Sequence, residues 1–152
     1  MKIAALALLT VGLILSLSAC SETNSPESSR ATESIAPCPT SPNCVSSDAN
    51  DKKHLILPLQ LTTSAEQAWP IVKEVIMQIP RSNLVRQTDS FLQVECRSAL
   101  FGFVDDLKLQ LRASEGIIAV YSASRLGYSD FGVNRDRIEA LRAALIKRGV
   151  VK

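Results

Sequence analysis

Between Phe91 and Ser122 the chain holds three apolar-rich runs separated by short turn-forming stretches. In FLQVECR, Leu92, Val94 and Cys96 share one face, because strand side chains alternate sides. Val104 to Arg112 places Leu107, Leu109 and Leu111 on one face and Lys108, Gln110 and Arg112 on the other. Ile117 to Ser122 is apolar on both faces, the pattern of a central strand. A shorter run, Leu84 to Gln87, precedes them. Turn signals at Asp89-Ser90, Phe101-Gly102 and Ser114-Glu115-Gly116 leave no room for crossovers, so the four runs predict an antiparallel meander.

Two helical patterns flank the meander. In TTSAEQAWPIVKEVIMQIP, Ala65, Ala68, Trp69, Val72, Ile76 and Ile79 recur at helical spacing, and Ser64 with Gln67 has the form of a capping box. Pro70 conflicts with that helix, since an interior proline removes a hydrogen bond at a cost of about 3 kcal/mol. A kink, or a regular part starting near Trp69, is expected, with Pro80 as the end. The second helix is expected over Asn134 to Arg148. Asn134 serves as its cap, Ile138, Leu141 and Leu145 as its apolar stripe, and Gly149 as its stop. Upstream, HLILPLQL carries leucines at 55, 57, 59 and 61 and predicts a half-buried strand, with Pro58 favouring an edge. The order strand, helix, four strands, helix predicts an α+β domain: an antiparallel sheet of about four to five strands with two helices on one face.

The N-terminus carries an address. Lys2 precedes an apolar run, Ile3 to Leu17, shorter than the ~20 residues of a membrane-spanning helix. It ends in Leu-Ser-Ala-Cys, which resembles the lipobox of bacterial lipoproteins. That resemblance makes residues 1–19 a signal peptide and Cys20 the lipidated mature N-terminus. Ser21, where an aspartate would signal inner-membrane retention, favours the outer membrane and a location in the bacterial envelope facing the periplasm. Residues 20–37 are rich in Ser, Thr, Glu and Pro, too polar to fold alone. They read as a tether spanning about 20 Å. Residues 38–152 remain as one globular domain. The formal net charge is only +2, without a basic run, so nucleic acid is not an expected partner.

With Cys20 assigned to lipid, three cysteines remain of four. Cys38 and Cys44 frame CPTSPNC, whose prolines bend the chain. In an oxidising compartment a disulfide is the default, contributing about 2.4 kcal/mol for so short a loop. A metal site is a weaker alternative, because zinc sites favour closer cysteines and His54 is the single histidine. Cys96 falls on the apolar face and reads as a buried thiol.

Two polar clusters invite chemistry. Asp105 and Asp106 are adjacent, so a regular strand sends them to opposite faces and they cannot converge on one substrate atom. Asp105 shares the face of Leu107 and therefore needs a partner. A structural Asp–Arg pair is the preferred reading. In SASRLGYSDFGVNRDR (Ser122 to Arg137), the spacing of Gly127 and Gly132 matches a phosphate loop, but Val133-Asn134 stands where Lys-Ser/Thr is needed. Arg125, Tyr128, Asp130, Asn134 and Arg135 then form either a self-satisfied loop or, at a helix N-terminus, a site for an anion. No cofactor is implied.

Three blocks, CPTSPNCVSS, RSALFGFVDDLKL and SASRLGYSDFGVNRDRIEALR, together resemble the domain of unknown function 1499 family. That family is one of compact, exported or membrane-associated bacterial domains with relatives in photosynthetic lineages, and the resemblance implies no activity. Its pattern falls on Cys38, Pro42, Asn43, Cys44, Ser46, Ser47, Arg97, Ser98, Phe103, Asp105, Asp106, Ser124, Arg125, Gly127, Asp130, Gly132, Asn134, Arg135 and Arg137. With no catalytic set evident, the expected function is a non-catalytic module, tethered to a membrane by its lipid, that binds an envelope protein or a small anionic ligand. Two alternatives stay open. One is a small enzyme using an Asp/Arg/Tyr site. The other is a helix-grip-like pocket for an apolar ligand, lined by Leu107, Leu109, Ile138 and Leu141.

Overall fold

A computed structural model describes residues 33–152. The signal segment, Cys20 and tether residues 20–32 lie outside them. The elements are β1 (Cys44–Ser46), β2 (Leu59–Gln60), α1 (Ala65–Met77), β3 (Ser82–Gln87), β4 (Phe91–Arg97), β5 (Val104–Arg112), β6 (Ile117–Ser124) and α2 (Val133–Lys147), with a 3-10 turn at Ala113–Glu115. Strands β3 to β6 form the antiparallel meander, and β6 also pairs with β1 and β2 on its other side. The domain is thus α+β, with a six-stranded sheet.

Both helices pack on one sheet face. Trp69, Val72 and Ile76 of α1 and Ile138, Leu141 and Leu145 of α2 meet Leu92, Val94, Leu107, Leu109 and Val120 in one buried cluster. The alternation in β4 and β5 holds: Leu92, Val94, Cys96, Asp105, Leu107 and Leu109 are buried, while their neighbours face the other side. Burial raises the thiol pKa of Cys96, so it is less of a nucleophile. Helix α2 ends in a Schellman motif. Gly149 (φ 71°) and Val150 donate to Ile146 and Leu145, and Val150 packs with Leu145 in the core.

Four expectations need correction. The strand expected over His54–Leu61 reduces to Leu59–Gln60 and an isolated bridge from Leu55 to Ser46. Asp51 binds the His54 ring and the amides of Lys53 and His54, closing a turn instead. Arginines of α2 then serve the carbonyls that a sheet would have used. Arg135 donates to Lys53 and Leu55, and Arg142 to Leu57 and Pro58. Secondly, the regular helix does not wait until Trp69: α1 runs unbroken from Ala65 through Pro70. Ser64 caps it by accepting from the Gln67 amide, and Pro70 sits on the exposed side, where the orphaned Glu66 carbonyl can meet water.

Thirdly, α2 starts at Val133, one residue early, and Asn134 is not its cap. Gly132 holds the cap position at φ 89°, Asp130 supplies the capping carboxylate, and Asn134 is buried. Fourthly, ordered contacts begin before Cys38. Glu33 meets Arg86 and accepts from Gln110, and Ile35 packs with Cys44, Tyr121 and Ala123 on the sheet face away from the helices. Strand β1 had no advance signal. It is three residues long, just beyond a disulfide loop, and Ser47 continues it by bonding Val120 twice through backbone and hydroxyl.

Candidate functional site

The two aspartates diverge as strand geometry requires, and each finds an arginine. Asp105 points to the helix side, where Arg137 donates to its Oδ2 at 2.5 Å. The two side chains are 6% and 13% exposed. Arg137 also donates to Ser122 and Asn134, and Asn134 donates to the Asn43 carbonyl and to Ser124. Asp106 lies on the outer face. Arg125 grips it through two hydrogen bonds, 2.8 and 2.9 Å, and reaches Glu95 at 2.6 Å. The Arg125 guanidinium holds the Asp106 carboxyl below the ordinary carboxylate range, and Asp106 and Glu95 hold the Arg125 proton more tightly in return.

In the loop for which both a self-satisfied arrangement and an anion site were open, the polar groups bond largely to the chain itself. Asp130 accepts from the amides of Gly132 (3.2 Å) and Asn134 (2.8 Å), so a carboxylate of the chain already occupies the α2 N-terminus. Arg135 is committed to two backbone carbonyls, Asn134 is buried, and Tyr128 is exposed on the loop. The candidates therefore split between an inner network (Asp105, Asn134), an outer one (Asp106, Arg125), a cap (Asp130), a backbone clamp (Arg135) and a free tyrosine. Among the described residues there is no group of His, Cys, Asp and Glu arranged to hold a metal ion. Leu107, Leu109, Ile138 and Leu141 are packed into the core, so the space a helix-grip pocket would use there is filled.

A different feature emerges at the same end of the sheet. The β4–β5 turn and the β6–α2 loop rise on either side of a groove of about 410 Å³. Its walls are Leu100, Phe101 and Phe103 on one loop and Leu126, Phe131 and Val133 on the other, all exposed, and Asp105 lies in its floor. Phe101 and Phe103 stack on each other, 5.6 Å between ring centres. Asn43 steadies the opposite wall through a 2.7 Å hydrogen bond to the Gly127 carbonyl, at a φ of 91° that suits glycine. Two of the three sequence blocks thus line the groove, and the first supports it through Asn43.

Phe131 is the most telling residue. It is 95% exposed and held at φ 53°. A left-handed conformation costs a bulky L-residue roughly 1–2 kcal/mol, and an exposed ring recovers none of it within the fold. Phe131→Gly is expected to raise stability by about 0.5–1 kcal/mol, the strain relief exceeding glycine's extra unfolded-state entropy. Denaturant titration checks this, and a destabilised variant would show that the ring packs on something. Sequence reasoning missed this wall. The available signal was large apolar residues inside glycine-bearing turns, SALFGF and RLGYSDFGV, where turns are ordinarily polar.

The family model described as protein of unknown function (DUF1499) matches residues 34–145, most of the chain. The protein belongs to that family. No curated protein and no solved structure matches it.

Proposed function

We propose that the protein is a non-catalytic binding module of the bacterial envelope, anchored through a lipid on Cys20, whose binding end is the loop groove. The groove carries this reading. It has the size and mainly apolar lining of a ligand site, and clustered exposed apolar side chains mark interaction surfaces. The polar residues beneath it act as scaffold, since Asp105–Arg137 and Asp130 fix the floor and one wall.

The polarity of the domain fits a tether. Glu33, the first described residue, lies against Arg86 and Gln110. Gln110 lies six residues along β5 from Val104, about 20 Å from the groove end at strand rise. An anchor on Cys20 therefore pulls at the far pole and leaves the groove open to what approaches from the envelope space. No helix among the described residues is long and apolar enough to cross a membrane.

A photoreactive side chain at position 131 is expected to acquire covalent adducts in living cells. One at position 89, in the turn at the opposite end, is expected to acquire none. Equal labelling at both positions would remove the reading.

A further inference from the structure

The floor of the groove is more specific than its walls. Asp105 is 4% exposed, and among the described residues the only hydrogen bond its side chain makes is from Arg137 to Oδ2. Its Oδ1 accepts nothing from the described residues, yet Asp105 lines the groove. Trp69 Nε1 alone is a fully buried side-chain polar atom without a partner among the described residues, so Oδ1 still reaches the groove's solvent, and a donor arriving there would take the place of water. The other carboxylate of the lining, Asp130, already has both oxygens occupied by backbone amides.

Arg137 does not line this groove. It holds Asp105 from behind and borders a separate cleft between α1 and α2. An anionic group entering the groove would thus meet a carboxylate oxygen before any cation. A hydroxyl or an ammonium would meet an acceptor whose charge is balanced from behind, and its apolar remainder would lie between Leu100, Phe101, Leu126 and Phe131.

We infer that the groove takes a small amphipathic molecule: an apolar body between the two loops and a hydrogen-bond-donor head, hydroxyl or protonated amine, on Asp105 Oδ1. This rests on the groove being the binding end, and it replaces the anion expected from the sequence with the opposite head-group chemistry.

The test uses the purified full-length protein with fluorine-labelled phenylalanine. The chain has four phenylalanines. Phe101, Phe103 and Phe131 line the groove, and buried Phe91 is an internal control. Octan-1-ol, octylamine and octanoate share one body and differ in the head. At neutral pH the alcohol and the amine are expected to shift the three groove resonances saturably, leaving Phe91 unmoved, with octanoate roughly tenfold weaker or worse. Leu126→Ser, an exposed change that spares the fold, should abolish all three responses. Octanoate binding as well as octylamine would overturn the inference, and so would no response to any probe. If the probes fail while adducts still form selectively at position 131, the binding end survives and only its ligand class falls. If neither occurs, both fall.

Discussion

Arg137→Ala is expected to destabilise the domain by about 3–5 kcal/mol, the range for breaking a buried ion pair by deleting one partner. The pair is deep, and the lost guanidinium also serves Ser122 and Asn134. Its removal leaves the Asp105 charge uncompensated in a low-dielectric setting and frees acceptors on two further buried side chains. Because Asn134 joins α2 to Asn43 and Ser124, the damage should spread to the helix start and the groove wall formed by the β6–α2 loop. Chemical denaturation reads the effect as a lower midpoint at similar slope. The double variant Asp105→Leu, Arg137→Met should recover much of the loss, since the buried charge goes with its partner. A loss under about 1 kcal/mol for Arg137→Ala would mean that water already shares the pair.

The second large effect belongs to the disulfide. Cys38 and Cys44 are bonded, six residues apart. Replacing both by serine is expected to cost about 2.4 kcal/mol by loop closure, a fall of roughly 10 °C in melting temperature for a domain this size. The position matters beyond the entropy. Cys44 opens β1, and Cys38 fastens the chain that carries Ile35 across Tyr121 and Ala123. Without the bond, residues Glu33 to Cys38 are expected to leave the sheet first. Amides of β1 would then exchange faster, while those of β4 and β5 hold. Intact mass before and after reduction verifies the bond through the gain of two hydrogens. Unchanged melting after its loss would place the stability of this edge in the Ser47–Val120 bonds instead.

The meander and both helices were legible because their signals are periodic and redundant. Leu107, Leu109, Ile138 and Leu145 each repeat a pattern that their neighbours confirm, and burial follows. The pairing of Asp105 was legible too, since a carboxylate on the face of Leu107 must find a cation. What failed was read from single residues. Asn134 is a good cap by type, but Ser122 and Arg137 offered it a buried network and Asp130 stood nearer the amides. HLILPLQL alternates correctly, yet the turn made by Asp51 and His54 and the arginines of α2 hold most of it off the sheet. Pro70 is tolerated because it lies where water can replace the lost donor.

The groove was not legible for a different reason. No local pattern says that two loops more than 20 residues apart in the chain will rise together. The pairing of β5 with both β4 and β6 puts them side by side. The polar letters of the third block drew attention to Arg125, Tyr128 and Asp130, whereas its apolar letters, Leu126 and Phe131, form the wall. The polar groups are largely consumed in holding the loop still.

The central claim is that these loops form the binding end of a tethered module, and covalent capture in living cells tests it most directly. A photoreactive residue is placed at position 131, at position 89, and at position 131 in a Leu126→Ser background, and each protein is weighed after illumination. Discrete added masses are expected at position 131, few or none at 89, and their loss in the Leu126→Ser background. Adducts equally abundant at 89, or undiminished by Leu126→Ser, would contradict it.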